Sequence, residues 1–385
     1  MGRLFTAAAH AVLLTSASIG VFADVDCASN ITIANADDAK ELRDSCTTLE
    51  GNLILAHELS ETISLDGLEV IKGTIAHEGC DAFDTECDIP DPFNITSSTL
   101  KEIHGSIDFW YFQGLQALVL PKLESVNGTV SLKRLHNVTH LDFTDLRWIG
   151  NFILETERLE TLLLDGLEGF HDRGWGNGGV ELWNAGKIES VDGFFKNPID
   201  PMLRDFWTEG SGMWLYANTI PNVRTITFGW TRLPSLTFSG NDLTVILGGP
   251  NTTEQHFERL GLRGGIKTLE RGSALKNLTV ETFEVRESDD IVHLTLAFDQ
   301  VSEVTIGPSN NLETLELPSE AKKWHDFDLY IAGSISPKLN LTEYKDGRQV
   351  WYWPEEPMEG LRLSGNVTTE FVYVSECCTG TNRLR

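Results

Sequence analysis

Positive charge is what this sequence lacks first: 30 lysines and arginines stand against 57 aspartates and glutamates in 385 residues, a formal net charge of −27. Such a surface repels polyanions, which argues against nucleic acid and anionic membrane as partners. Long apolar runs are also missing after the first 23 residues; nothing later approaches the ~18 or more consecutive apolar residues of a membrane span, so no transmembrane segment is expected beyond that point. Metal-binding patterns are scarce. Nine histidines after residue 23 (57, 77, 104, 136, 140, 171, 256, 293 and 325) give no H-x-x-x-H on a helix. His136 and His140 are four apart but flank a glycosylation sequon, and they read as surface residues of a corner. "GWGNGG" at 174–179 lacks the preceding strand and the following Lys-Ser/Thr of a phosphate loop and reads as a turn. Neither metal nor cofactor is expected.

Catalytic carboxylates are no easier to find. Glycoside hydrolysis needs two placed acids, and the chain offers close pairs such as Asp289/Asp290 and Asp326/Asp328. With 57 acids in the chain such pairs arise by chance, and on a solenoid most read as the solvated outer side of a strand. No catalytic residue is assigned.

What is present begins at the N-terminus. "MGRLFTAAAHAVLLTSASIGVFA" carries one positive charge at Arg3, an apolar run to Val21, and small residues before Asp24. Residues 1–23 therefore read as a secretory signal peptide. Eight N-x-S/T sequons follow, at Asn30, Asn94, Asn127, Asn137, Asn251, Asn277, Asn340 and Asn366, which predicts an N-glycosylated surface. The six cysteines, Cys27, Cys46, Cys80, Cys87, Cys377 and Cys378, are an even set suited to an oxidising compartment. Fifteen pairings are open; proximity in sequence favours Cys27 with Cys46, Cys80 with Cys87, and Cys377 with Cys378 or another near partner.

The strongest signal is a repeat. "LQALVLPKLESVNGTV" at 115–130 places leucines at 115, 118, 120 and 123, and apolar-x-x-apolar-x-apolar returns at Val138/Leu141/Phe143 and Leu159/Leu162/Leu164. Central positions Leu118, Leu141 and Leu162 are 23 and 21 residues apart, inside the ~20–29-residue period of leucine-rich solenoids. Apolar-x-Gly-x-apolar lies between them, as "IKGTI", "IHGSI" and "VNGTV", with "IGNFI" carrying its glycine one place early. Each coil thus predicts short strands joined at tight corners, with Leu118 and Leu120 on one strand face and Leu115 and Leu123 turning in just outside the strand. A helical reading fails on the β-branched content and the Gly/Pro punctuation. The pattern fades between 170 and 220, which reads as an insertion or a seam between two halves. It resumes after 275 at intervals of 16, 10 and 11 residues, as if both strands of each coil now fit one template. The division expected is 24–190 for a first solenoid half and 191–385 for a more divergent second half ending in an aromatic cap.

Aromatic clusters at 109–112 ("FWYF"), 324–330 and 351–357 are the segments suited to a ligand. Core or cap packing is their first reading. Stacking on sugar faces is the second, carried by Trp110, Tyr111, Trp351 and Trp353. If 109–112 is a strand, Phe109 and Tyr111 share one face and Trp110 and Phe112 the other.

A chain with a cysteine at 27, another at 46, and then "TLEGNLIL", "ISLDGLEVIKGTI" and "LQALVLPKLESVNGTVSL" resembles the receptor L-domain. More narrowly, it resembles the fungal GPI-anchored cell-wall organisation proteins that carry such domains. The likeness is strongest from Cys27 to about Phe170 and looser from 220 to 318. It implies an all-β, right-handed parallel β-solenoid, a Cys27–Cys46 disulfide capping the first coil, glycans on the sequons, and a non-enzymatic part in wall organisation. Its implied partners are cell-wall polysaccharide or cell-surface protein. Anchored members end in a serine-rich stalk and a hydrophobic tail, whereas this sequence stops at "CCTGTNRLR", so either a freely secreted protein or a truncated sequence is expected. The competing expectations are a polysaccharide-cleaving β-solenoid enzyme and the ectodomain of an adhesion or sensor protein.

Overall fold

A computed structural model describes residues 25–78, 91–171, 179–200 and 220–307, together with residues 213–216, 311–312, 314–316, 328–332, 340–342, 349–353, 362–364 and 372–374. Residues 1–23, expected to be a signal peptide, and Cys80, Cys87, Cys377, Cys378, Asn366, Asp326 and most of "GWGNGG" lie outside these residues.

The chain winds into a parallel β-solenoid of about 10 turns, with two helices among the described residues, α1 (Ala36–Ser45) and α2 (Asp192–Phe195). Each coil presents three faces in order. Face A holds Thr48–Leu49, Val70–Ile71 and Glu102–Ile103; face B holds Ile31–Ile33, Leu53–Leu55, Ile75–His77 and Ile107–Trp110; face C holds Ile63–Ser64, Phe93–Thr96, Leu115–Val119, His140–Asp142 and Thr161–Leu163. Faces A and B merge where Ser125–Lys133 and Trp148–Glu155 run through both. Every pairing is parallel, as coil-on-coil stacking demands.

The leucine repeat sets the register. Leu118 pairs with Leu141 and Leu141 with Leu162, and Leu115, Leu118, Leu120 and Leu123 are at most 1% exposed. Burial of such side chains contributes roughly 1.5–3 kcal/mol each, and they belong to one continuous core running from Ile33 to Leu315. Leu115 departs from expectation: it opens the strand rather than preceding it, through a register shift before Ala117. The closer spacing after 275 is explained by two faces using one motif. Val280 pairs with Val301 in one sheet and Leu294 with Leu315 in another.

The glycine phrase marks the A–B corner. The Gly128 amide donates to the Gly105 carbonyl at 2.7 Å, and Gly105 to Gly73 at 3.0 Å. A Cβ at Gly105 or Gly128 would overlap the preceding glycine's carbonyl, so only glycine fits. The next residue in each coil supplies a polar atom. Asn30 Oδ1 accepts from the Asn52 amide (2.8 Å), Asn52 Oδ1 from Thr74 (2.8 Å), Thr74 Oγ1 from Ser106 (3.2 Å) and Ser106 Oγ from Thr129 (3.0 Å). The early glycine of "IGNFI" follows from a register shift: Val126 pairs with Ile149 but Thr129 with Asn151, so this corner is one residue shorter.

At the N-terminal end, α1 covers the first coil with Ala39 and Leu42 buried, and Asn35 caps it through the Asp37 and Asp38 amides. A Cys27–Cys46 disulfide ties this cap, with Cα atoms 5.9 Å apart. Among the described residues no strand pairing joins Val180–Trp183 to Met213–Tyr216. Aromatic packing fills the seam: Phe194 meets Phe152 (4.7 Å between centroids), and fully buried Trp230 meets Phe170 (5.1 Å), Phe195 (5.6 Å) and Phe228 (5.5 Å).

Candidate functional site

On face B the strands Ile107–Trp110, Ser125–Lys133, Trp148–Glu155 and Val180–Trp183 lie side by side. Their inward residues are in register as Ile107, Val130, Phe152 and Val180, then Phe109, Leu132, Leu154 and Leu182. Strand alternation sends the residues between and after them outward. Two outward rows result: Asp108–Ser131–Ile153–Glu181 and Trp110–Lys133–Glu155–Trp183. Trp110 and Trp183 are each 44% exposed, which is unusual for indole on a monomer's surface. Beside Trp110 opens a concavity of about 630 Å³, floored by Ser106, Thr129, Ser131 and Ile153 and edged by Asp108, Trp110, Lys133, Arg134 and Glu155.

The alternation expected for 109–112 is corrected here. Phe109 and Phe112 are both buried, while Trp110 and Tyr111 both lie outside. The strand stops at Trp110, and Tyr111 takes a left-handed conformation (φ 56°) that turns the chain from face B to face C. Arg134 (φ 54°) and Asn184 (φ 46°) do the same at the ends of their own strands. Such corners cost side-chain-bearing residues about 1 kcal/mol each.

These corners carry a second line of side chains beside the outer row. The Arg134 guanidinium sits over the Tyr111 ring, 5.1 Å from its centroid, and donates to the Tyr111 hydroxyl. Its Nε lies 3.8 Å from Glu155. The Tyr111 hydroxyl, and then the Glu155 carboxylate, push the Arg134 pKa up, so the group is cationic at any working pH. The Trp110 and Tyr111 rings are 5.2 Å apart. Beneath the corner, Phe112 meets Phe93 and Phe109 edge-on (5.1 and 5.5 Å) and stacks on the His77 ring (3.9 Å). Burial, and then neighbouring His57, hold the His77 pKa down to about 4, against a weaker opposing effect of the Trp110 backbone. Neither His77 ring nitrogen has a hydrogen-bond partner among the described residues.

The other sequence-predicted positions are dispersed. Asn30, Asn251 and Asn277 are exposed, while Asn94, Asn127 and Asn137 are half-buried. Asn137 is tied into its corner: its Nδ2 donates to the Gln113 carbonyl at 2.7 Å and its Oδ1 accepts from Arg158 at 3.2 Å. Asn340 opens the strand Asn340–Thr342. Trp351 and Trp353 belong to the strand Gln349–Trp353, in which Trp351 pairs in register with Tyr330 and Tyr373; their side chains are outside the described set. Asp289 and Asp290 are exposed neighbours at a corner, and Asp328 starts another strand. No group of three or more metal-ligating side chains occurs among the described residues.

Sequence reasoning missed Trp183, Lys133 and Glu155. A signal for them exists: "IDFW", "VSLK", "FILE" and "VELW" share an apolar-x-apolar-x form, and their last residues are the outer row. Chemically the site offers flat aromatic faces, hydroxyls and a guanidinium, a set suited to holding a polyhydroxylated surface. No protein-family model, curated protein or solved structure matches this chain.

Proposed function

We propose that this is a secreted, N-glycosylated cell-surface or cell-wall protein that supports wall organisation without catalysis, presenting face B of its solenoid to a glycan or protein partner. The single observation behind this reading is the outward Trp110–Tyr111 pair at the edge of the hydroxyl-floored concavity. Core packing accounts for Phe109 and Phe112 but not for these two rings: strand alternation sends Trp110 outward, and the left-handed conformation of Tyr111 keeps its ring outside the core. The receptor L-domain resemblance of the repeat phrases agrees with such a role, and so does the sequence's signal peptide.

An enzymatic alternative draws on Asp108 and Glu155, which line the same concavity. They sit two coils apart and two residues out of register, roughly 12 Å between Cα atoms on a ~4.8 Å rung spacing. Glu155 is moreover engaged by Arg134. With Glu155 already paired, Asp108 is the one other acid lining the concavity, and the binding role is favoured.

The test is adsorption of the purified protein to insoluble β-glucan, chitin and mannan, with reducing sugar measured in the supernatant. Adsorption without sugar release, lost in Trp110→Ala/Tyr111→Ala, is the expected result. Sugar release abolished by Glu155→Gln makes the protein an enzyme. Adsorption unchanged by the double variant moves the site elsewhere.

A further inference from the structure

Asn137 is a glycosylation sequon by its sequence and a piece of a corner by its bonds. It lies where the chain turns from face B to face C, three residues after Arg134 and directly before fully buried Val138. Its carboxamide joins three consecutive coils. Nδ2 donates to the Gln113 carbonyl of the coil before (2.7 Å), and Oδ1 accepts from Arg158 of the coil after (3.2 Å). The backbone beside it is fixed as well: the Val138 amide donates to the Leu135 carbonyl and the Thr139 amide to that of Gln116. Asn30, Asn251 and Asn277 differ. All three are exposed, and none of their Nδ2 atoms has a hydrogen-bond partner among the described residues. Asn30 does use its Oδ1, which accepts from the Asn52 amide, but a glycosylated carboxamide keeps that oxygen.

We propose that Asn137 is a structural asparagine whose sequon stays bare in the folded protein, and that the glycans sit on Asn30, Asn251 and Asn277. The inference rests on the secreted, N-glycosylated reading above. Glycosylation joins Nδ2 to the anomeric carbon of a sugar carried on a lipid pyrophosphate; the bond from that carbon to the pyrophosphate breaks, and Nδ2 gives up one proton. At Asn137 the reacting nitrogen is the one that holds the corner, so a bulky sugar there displaces the Gln113 contact and leaves a carbonyl without its donor. At the three exposed positions the reaction breaks no bond of the fold. A bare Asn137 also keeps the partner-facing edge open. Its neighbour His136 lies 6.5 Å from the Tyr111 ring, and Tyr111 carries Arg134 at the rim of the concavity.

The experiment is site mapping of the full chain secreted from a eukaryotic host. Enzymatic release of the glycans in heavy-oxygen water leaves a labelled aspartate at each occupied asparagine, read by peptide mass spectrometry. Label at Asn30, Asn251 and Asn277 and none at Asn137 is the expected result. Two variants that both destroy the sequon separate its two roles. Thr139→Val keeps the carboxamide and leaves glycan mass and melting temperature unchanged. Asn137→Asp removes the donor to Gln113, leaves glycan mass unchanged and lowers the melting temperature by about 3–6 °C. Label at Asn137 in the secreted protein, or a loss of glycan mass in Thr139→Val, overturns the inference and leaves the proposed function standing. Asn137→Asp melting together with the unaltered protein overturns the structural role. If Asn137→Asp is not secreted, the site map and Thr139→Val still decide. Label at no position overturns the N-glycosylated reading along with the three assigned acceptors.

Discussion

Coils before the seam and coils after it make the same three faces by different means. Before it, strands of two to five residues predominate, and the A–B corner is held by Gly73, Gly105 and Gly128 with a chain of side-chain oxygens beside them. After it, Arg232–Leu247 and Glu254–Arg271 run as strands of 16 and 18 residues straight round the corners. The outer surface of face B differs as much. Its counterpart after the seam carries Arg259, Arg263 and Arg286 with Glu284 and Glu303 at outward positions, and no outward aromatic ring on that face among the described residues 259–263, 282–286 and 303–306. Inward positions stay leucine, valine, isoleucine and phenylalanine throughout. The coil is specified from inside, which leaves the outer face open to specialisation; the exposed Trp110 and Trp183 of face B belong to the first half alone among these residues.

The sharpest way to break the comparison is to separate the two halves. Trp230 is fully buried at the seam, and its indole N–H donates to the Phe194 carbonyl at 3.1 Å. Trp230→Ala removes that bond and opens a cavity, at a cost of ~3–5 kcal/mol. Calorimetry is expected to show one transition becoming two, as each half melts by itself. A single transition at the original temperature means that the aromatic seam does not couple them.

Next in size is a matched pair of glycine substitutions. Gly105→Val puts a branched Cβ into the Gly73 carbonyl, which backbone on both sides prevents from moving, and costs ~3 kcal/mol or more. Gly261→Ala after the seam meets only the Thr237 side chain, Oγ1 at 2.8 Å and Cγ2 at 3.2 Å, with no backbone atom in the way, and costs about 1–2 kcal/mol. Urea denaturation of the two variants checks the contrast. Equal losses would mean that the glycine column is no stricter than any other strand position.

The contrast also explains what could be read in advance. Leu118, Leu141 and Leu162 announce their register because stacked coils repeat the inward position. Tyr111 and Arg134 hide the B–C corner, since neither is a residue type that advertises a left-handed conformation; Asn184 and Gly264 are. Alternation was therefore carried one residue too far, across 109–112. At the seam, Phe194, Phe195, Phe228 and Trp230 do the inward work of leucines, so the repeat is lost to the eye although the core is continuous. In "RLPSLTFSGNDLTVIL" the proline, glycine and Asn-Asp read as breaks, yet the strand continues round its corner with Asp242 in a left-handed conformation (φ 54°). The exposed tryptophans of face B were half legible: "FWYF" drew notice as a cluster, whereas Trp183 stands alone and shows its place only through its register with Trp110.

A pH series sharpens the comparison at smaller scale, because the buried imidazole lies in the first half. His77 has a folded-state pKa of about 4, below its ordinary 6.5. The unfolded chain takes up the proton first as pH falls, so the His77 contribution is complete above about pH 6.5 and is lost progressively between pH 6.5 and 4. The full shift corresponds to ~3 kcal/mol, and partial solvent exposure of the ring reduces this to about 2 kcal/mol. His77→Phe keeps the stack on Phe112 and has no proton to take up. Its stability relative to the unaltered protein should therefore rise by about 2 kcal/mol on going from pH 7 to pH 4. If the two proteins lose stability in parallel, the acid sensitivity of the first half lies elsewhere.

The smallest effect tests whether charge holds the second half as glycine holds the first. Arg263 places both Nε (2.9 Å) and Nη2 (2.7 Å) on one Glu287 oxygen, joining consecutive coils. Both side chains are about half exposed, so water competes for each of them and ordering two long side chains offsets most of the attraction. Arg263→Ala should cost less than ~1 kcal/mol, and the loss should shrink further in ~0.5 M salt as screening removes what remains. That outcome assigns the second half's stability to its long strands and buried side chains, with the ion pairs as trim on a surface free to vary. A loss matching that of Gly105→Val, insensitive to salt, would reverse the assignment: the ladder of opposite charges would then be the second half's equivalent of the glycine column, and its face B would be structural rather than open to a partner.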